Sequence, residues 1–447
     1  MRKKVLQIIG ILTAAVMLAG CTNPGKVPAV TGNPDSEIPV TSGTLSGESV
    51  NLTEGRTGIA ARNVYPTDEE TSALSGAAFA LFEEVMDEKE GENVLLSPVS
   101  IDFALGMTEN GAAGKTLAQM EETVNGGISG EKLNPIMKLL SERFMNAAEV
   151  KWNVANSVWF KNDDQIQMKM KDDFLDQTVG YYDADVYLSP FDNRTISDIN
   201  NWVSLETDGM ITDVLDSIDP NTIMYLINAI SFDGEWATEY EEDKITEDRE
   251  FRNLDGSISN VTMLGSTESK YFEIAGGEGF IKPYKGLEYS FVGILPGEGE
   301  TPETLIAKMN QSNTDFANAV KNAENTEVKV QMPEFSCDFE TELSDTYKKM
   351  GMTEPFSETD ADFSRMLEST DGSLFECWIG SIIHKTHIDV DRKGTKAAAV
   401  TVVEMRYKNA VSFDELKTVI LNRPFVYAIV ENETGLPVFL GCVNNME

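Results

Sequence analysis

Apolar residues recur along this chain with two periods. From Asp68 onward, Leu74, Ala78, Leu81, Phe82, Val85 and Met86 return every three or four positions, the spacing of one helix face. Asp68, Glu69 and Glu70 open that helix, where acidic side chains suit its positive end, and Gly91 closes it. Asn93 to Leu96 then reads as a short buried strand, followed by a helix with Ser97 as its cap and Pro98 in its first turn. Val154 to Phe160 and Tyr289 to Leu295 read as strands, the second stopped by Pro296. Leu226 to Trp236 is apolar for too long to have a wet face, so it predicts a strand buried on both sides. Asn228 lies inside that run, and its amide must be hydrogen-bonded there or be costly. Thr326 to Phe335 alternates polar and apolar.

The most telling alternation runs from Asp391 to Asn409. Thr395, Ala397, Ala399, Thr401, Val403 and Met405 share one face of a strand, while Lys396, Ala398, Val400, Val402 and Glu404 share the other. The first face carries no charge and is small near Gly394. A slip of one residue would bury Lys396 and Glu404. The same stretch runs into Arg406-Tyr407-Lys408-Asn409, a basic, protease-cleavable sequence suited to an exposed loop. A segment fit for both a sheet interior and a loop points to a chain that changes place.

Charge and composition narrow the function. The formal net charge is −38 over 447 residues, which argues against nucleic acid as a partner. His384 and His387 are the two histidines, so a His-rich metal site is excluded. A hydrolase finds no Gly-x-Ser-x-Gly elbow here. Gly114-Lys115-Thr116 looks like the end of a phosphate-binding loop, but Glu109 stands where that pattern needs glycine.

The first residues read as an export leader. Arg2-Lys3-Lys4 precedes an apolar run from Val5 to Met17 that is too short to cross a membrane. Leu18-Ala19-Gly20-Cys21 resembles the lipobox of bacterial lipoproteins, which implies cleavage before Cys21 and a diacylglycerol on its sulfur. Losing Arg2, Lys3 and Lys4 would take the net charge from −38 to −41. Residues 22 to about 66, rich in Gly, Pro, Ser, Thr and Asn, read as a tether. This divides the chain into a signal peptide (1–20), a lipidated cysteine with its tether (21–66) and one folded unit (67–447). With Cys21 consumed, Cys337, Cys377 and Cys442 are left. Three thiols cannot all pair internally, and reduced, buried cysteines are the expectation, with one disulfide as the alternative.

Gly394-Thr395-Lys396-Ala397-Ala398-Ala399-Val400-Thr401 resembles the hinge of the reactive loop in inhibitory serpins. Other segments resemble that family in the right order over about 380 residues. Ser97 and Ser100 match the serines of its shutter, Asn228 and His384 the shutter asparagine and histidine that are linked there, and Trp236 the tryptophan of its breach. Ile199 to Val203 matches the helix covering the main sheet. Thr326 to Phe335 resembles the strand flanking the insertion gap. Arg423 to Tyr427 and Pro437 to Gly441 match the closing strands.

The resemblance implies an α+β fold in one domain, with three β-sheets, about eight or nine helices and an exposed reactive loop. It implies a suicide inhibitor with no cofactor and no catalytic residue of its own. Its partner would be a serine protease, held one-to-one in a covalent complex, and the inhibitor a monomer carried on the bacterial surface or envelope by the lipid on Cys21. Release from the surface stays open. Counting from the hinge glycine as the family does points to Lys408-Asn409 as the cleaved bond, with Arg406-Tyr407 second; both suit a trypsin-like pocket, and a shifted register would suit an elastase-like one. A non-inhibitory binding module is the alternative. Two departures stand out: Arg392 replaces the usual glutamate at the head of the gap, and Lys396 replaces a frequent glutamate.

Overall fold

The computed structural model describes residues 13–22, 45, 49–59, 64–162, 168–207, 209, 211, 214–395 and 417–446. Among them are nine α-helices and three sheets, an α+β fold as anticipated.

The helix from Asp68 is helix α1 (Asp68–Glu88), fixed at its start by a reciprocal Thr67–Glu70 capping box. Helix α2 (Pro98–Glu109) has Ser97 as its cap, whose Oγ accepts the Ser100 N–H. Cys337, Cys377 and Cys442 are unpaired and buried, and burial pushes the Cys337 thiol up to about 12.

The main sheet has eight strands. In chain order they are β1 (Thr13–Thr22), β2 (Val50–Asn51), β3 (Val150–Lys161), β4 (Asp185–Ser189), β5 (Thr222–Glu235), β6 (Phe335–Glu342), β7 (Trp378–Val390) and the two-residue β8 (Gly394–Thr395). In space the order is β6-β7-β1-β5-β3-β4-β2, with β8 on β5. β1 is antiparallel to both β7 and β5, which flank it. A nine-stranded sheet packs behind, and helix α3 (Asn193–Glu206) lies across the front.

That sandwich explains the long apolar run. Met224, Leu226, Ile230 and Phe232 of β5 join the core behind the sheet, whereas Tyr225, Ile227 and Ala229 join the smaller core with Ile199, Trp202 and Val203 of α3. Both faces are dry, so neither tolerates a charge.

Two sequence expectations need correction. Glu324–Pro333, which holds most of the alternating stretch expected to flank the gap, lies in the nine-stranded sheet beside Ile258–Ile274 and Lys417–Ile420. The flanking strands are β5 and β7. Alternation reports a half-buried strand but not which sheet it joins.

Residues 49–59, inside the stretch read as tether, are laid against the domain. β2 pairs with β4, Ser49 Oγ donates to Asp198 Oδ2 on α3 at 2.6 Å, and the Ile59 N–H reaches the Gly180 carbonyl at 2.8 Å. Arg56 pairs with Asp172 at 3.0 Å and also with Asp176.

Candidate functional site

The site begins where β7 ends. Asp391 to Gly394 form a tight turn: Asp391 Oδ1 accepts the N–H groups of Lys393 (2.7 Å) and Gly394 (3.1 Å), and Asp391 N–H returns to the Gly394 carbonyl. Gly394 has φ +153°, and a Cβ there would run into the Gly234 carbonyl, so this position requires glycine. The turn delivers Gly394 opposite Glu235 and Thr395 opposite Gly234, the first two rungs of a ladder on β5.

Thr395 is fully buried, and its hydroxyl is 2.9 Å from the Tyr284 hydroxyl. The sequence placed Thr395 first to enter the sheet; in the structure it is already seated. Residues 396–416, which include Lys396 to Thr401 and the proposed cleavage bonds at Arg406, Tyr407, Lys408 and Asn409, lie outside the described residues.

Trp236 anchors the head of the gap. Its indole N–H donates to the Asp391 carbonyl at 2.9 Å, its backbone N–H donates to the Lys393 carbonyl, and its ring stacks on Tyr284 at 4.6 Å. Lys282 lies below, fully buried, with its ammonium 5.2 Å from the Trp236 ring centre and 4.3 Å from that of Tyr240. It donates to Glu268 Oε1 at 3.0 Å. Burial lowers the Lys282 pKa, against the pull of Glu268.

Arg392 stands at the head of the gap, where the resemblance led us to expect glutamate. Its Nε and one terminal nitrogen grip the two oxygens of Glu334, at 2.8 and 3.1 Å, and its backbone N–H adds a third bond at 3.1 Å. The ion pair at the gap is therefore present with its basic member on the loop side and its acidic member at the foot of β6. The side-chain pair raises the Arg392 pKa.

The residues read as the shutter lie midway down the gap. Ser97 N–H donates to His384 Nε2 at 3.0 Å, so that nitrogen carries no proton. Ser97 Oγ donates to the Val438 carbonyl at 2.8 Å. Ser100 Oγ donates to Asn228 Oδ1, and Asn228 Nδ2 donates to Asn156 Oδ1 at 2.7 Å. All five side chains are buried, and the Asn228 amide is satisfied as its position demanded. Asn228 and His384 both lie opposite position 17 of β1, so a strand stands between the two residues expected to be linked.

Ser97, Ser100, Asn228 and His384 are thus gathered midway down the gap, and Trp236, Gly394 and Thr395 at its head. Tyr284, Glu334, Asn156 and Asp391 were missed. Only Asp391, three residues before the hinge glycine, carried a local sign, that of an Asx turn.

Residues 72–446 match the family model for Serpin (serine protease inhibitor). The chain belongs to the serpin family. The native-state crystal structure of tengpin, a thermophilic serpin, superposes with a TM-score of 0.78 at 38% identity, covering 89% of this chain and all of that one. Iripin-8 of Ixodes ricinus is 30% identical over 369 residues, covering 79% of this serpin and 88% of the relative. Glia-derived nexin of Mus musculus is 29% identical over 391 residues, covering 83% and 92%. As in the family generally, the expected activity is inhibition of proteases.

Proposed function

We propose that this serpin inhibits a serine protease by acylation followed by loop insertion, with a trypsin-like enzyme as its target. The observation that carries the reading is the gap between β5 and β7. It holds a strand antiparallel to both, while Gly394 and Thr395 start a ladder at its open end.

Continuing that ladder along β5 sets Ala397 opposite Phe232, Ala399 opposite Ile230, Thr401 opposite Asn228, Val403 opposite Leu226 and Met405 opposite Met224. These odd-numbered loop positions share the core face with Thr395, and none is charged. Lys396 falls opposite Asp233 on the other face. Thr395 to Met405, eleven residues, would form a strand of about 36 Å.

The protease serine attacks the Lys408 carbonyl, the amide nitrogen of Asn409 leaves with a proton as a new N-terminus, and an ester joins Lys408 to the enzyme. Insertion then carries the ester to the far end of the sheet before water can hydrolyse it. A cut far upstream would leave too short a strand for this, which favours Lys408 over Arg406. The lipid on Cys21 would hold the acidic body at a bacterial membrane from outside.

Incubation of the chain cut before Cys21 with trypsin, followed by a denaturing gel, tests the reading. A stable covalent complex supports it, and clean cleavage without complex refutes it. Mass spectrometry of the released C-terminal peptide should show Asn409 at its start. An unchanged inhibition rate in Lys408→Ala would remove Lys408 from its role.

A further inference from the structure

The strand already in the gap is β1, part of the segment read as export leader. Thr13 lies opposite Phe232, Ala15 opposite Ile230, Met17 opposite Asn228, Ala19 opposite Leu226 and Cys21 opposite Met224. These are the β5 residues that the ladder from Gly394 and Thr395 would assign to Ala397, Ala399, Thr401, Val403 and Met405. The two segments therefore compete for one slot in one register. They are also alike in sequence: Ala14-Ala15-Val16 takes the rungs of Ala398-Ala399-Val400. None of the ten residues at these shared rungs is charged.

We infer that the retained leader is an internal blocker of this serpin: it fills the loop's slot as a register-matched strand, and its removal arms the inhibitor. The inference rests on the insertion mechanism proposed above. Loop insertion needs the slot open, and β1 must first give up its backbone pairing to both β5 and β7. That wait lets water attack the ester, releasing active protease and a loop cut at a free carboxylate. An uncleaved chain is then a substrate, whereas the chain cut before Cys21 has lost most of β1 and has an open slot. The leader would serve export and also keep the unprocessed protein from trapping proteases.

The full chain, made without export so that the leader is kept, tests this beside two full-length variants. Ala15→Asp puts a carboxylate opposite Ile230, and Ala15→Pro removes an N–H from a strand paired on both edges. Both should empty the slot, and the amount of serpin consumed per trypsin trapped should fall roughly tenfold. Amide hydrogen exchange across Ile227 to Phe232 and Ile382 to Ile388 should be slow in the unaltered chain and faster in the variants. If all three chains trap trypsin equally well, the blocking role is overturned while the inhibitor stands. If none traps trypsin, the mechanism above fails, and exchange decides the rest: slower exchange in the unaltered chain upholds leader occupancy, and equal rates overturn it.

Discussion

Thr395→Arg puts the hinge geometry under the sharpest test. The wild-type side chain is fully buried, and its hydroxyl is bonded to that of Tyr284, whose ring is stacked on Trp236. Losing the hydroxyl leaves Tyr284 unpaired, at about 1–3 kcal/mol. Seating a guanidinium there adds several kcal/mol, because no carboxylate among the described residues is bonded to that pair of hydroxyls. The native state escapes most of this by letting Gly394 and Thr395 come off β5, which forfeits about two ladder bonds of about 1 kcal/mol each. The variant should therefore fold.

Trapping has no such escape, since the loop cannot zip into the gap without passing position 395. A barrier raised by about 2–4 kcal/mol slows insertion roughly thirty- to thousandfold. Hydrolysis of the ester then wins. In the chain cut before Cys21, titration of residual trypsin activity should show many serpin molecules consumed per enzyme, and a denaturing gel should show the cleaved form in place of the complex. Thr395→Ser keeps the hydroxyl and should behave like wild type, with Thr395→Val between. Stoichiometric trapping by Thr395→Arg at the wild-type rate would refute both the register and the seat of Thr395.

The pair at the gap head lends itself to a double-mutant cycle: Arg392→Glu should lower thermal stability, and Glu334→Arg in the same chain should recover most of the loss. Arg392 is 39% exposed, so the loss for Arg392→Ala is only about 1 kcal/mol, and a double variant no more stable than Arg392→Glu would show the pair to be idle. In the chain cut before Cys21, cleavage near Lys408 should raise the melting temperature sharply, and equal melting temperatures before and after would rule out insertion. Glu109, buried in α2, has its pKa raised from 4.5 to about 8 by burial, against the Asn125 hydrogen bond that lowers it. The folded state thus holds a proton that the unfolded chain sheds above 4.5. The stability this provides is complete below 4.5 and is lost as pH rises through about 8. Glu109→Gln should flatten the fall in melting temperature between about pH 5 and pH 8, and an unchanged slope would show that another group carries it.

Local pattern determined much of this protein. The stripe from Leu74 to Met86, the Ser97-Pro98 cap and the unbroken run at Leu226 are short-range signals, and each formed the element it predicts, because helix faces, caps and strand alternation are set by neighbours a few residues apart. Of the uncharged odd-numbered face read from Thr395 to Met405, Thr395 alone lies within the described residues, and it is buried. What only the tertiary structure decided depends on partners far apart in the chain. Arg392 was legible as a departure from the usual glutamate, but its partner Glu334 lies 58 residues away and only the fold brings them together. Thr395 gave no sign of being already buried, since its seat is made by Tyr284, 111 residues back. The alternating stretch at Thr326 fitted either sheet, and strand pairing alone assigned it. The first residues showed an apolar run and a resemblance to a lipobox. That they lie in the register open to the loop follows from two ladders on β5, and register is fixed by the pairing of distant strands.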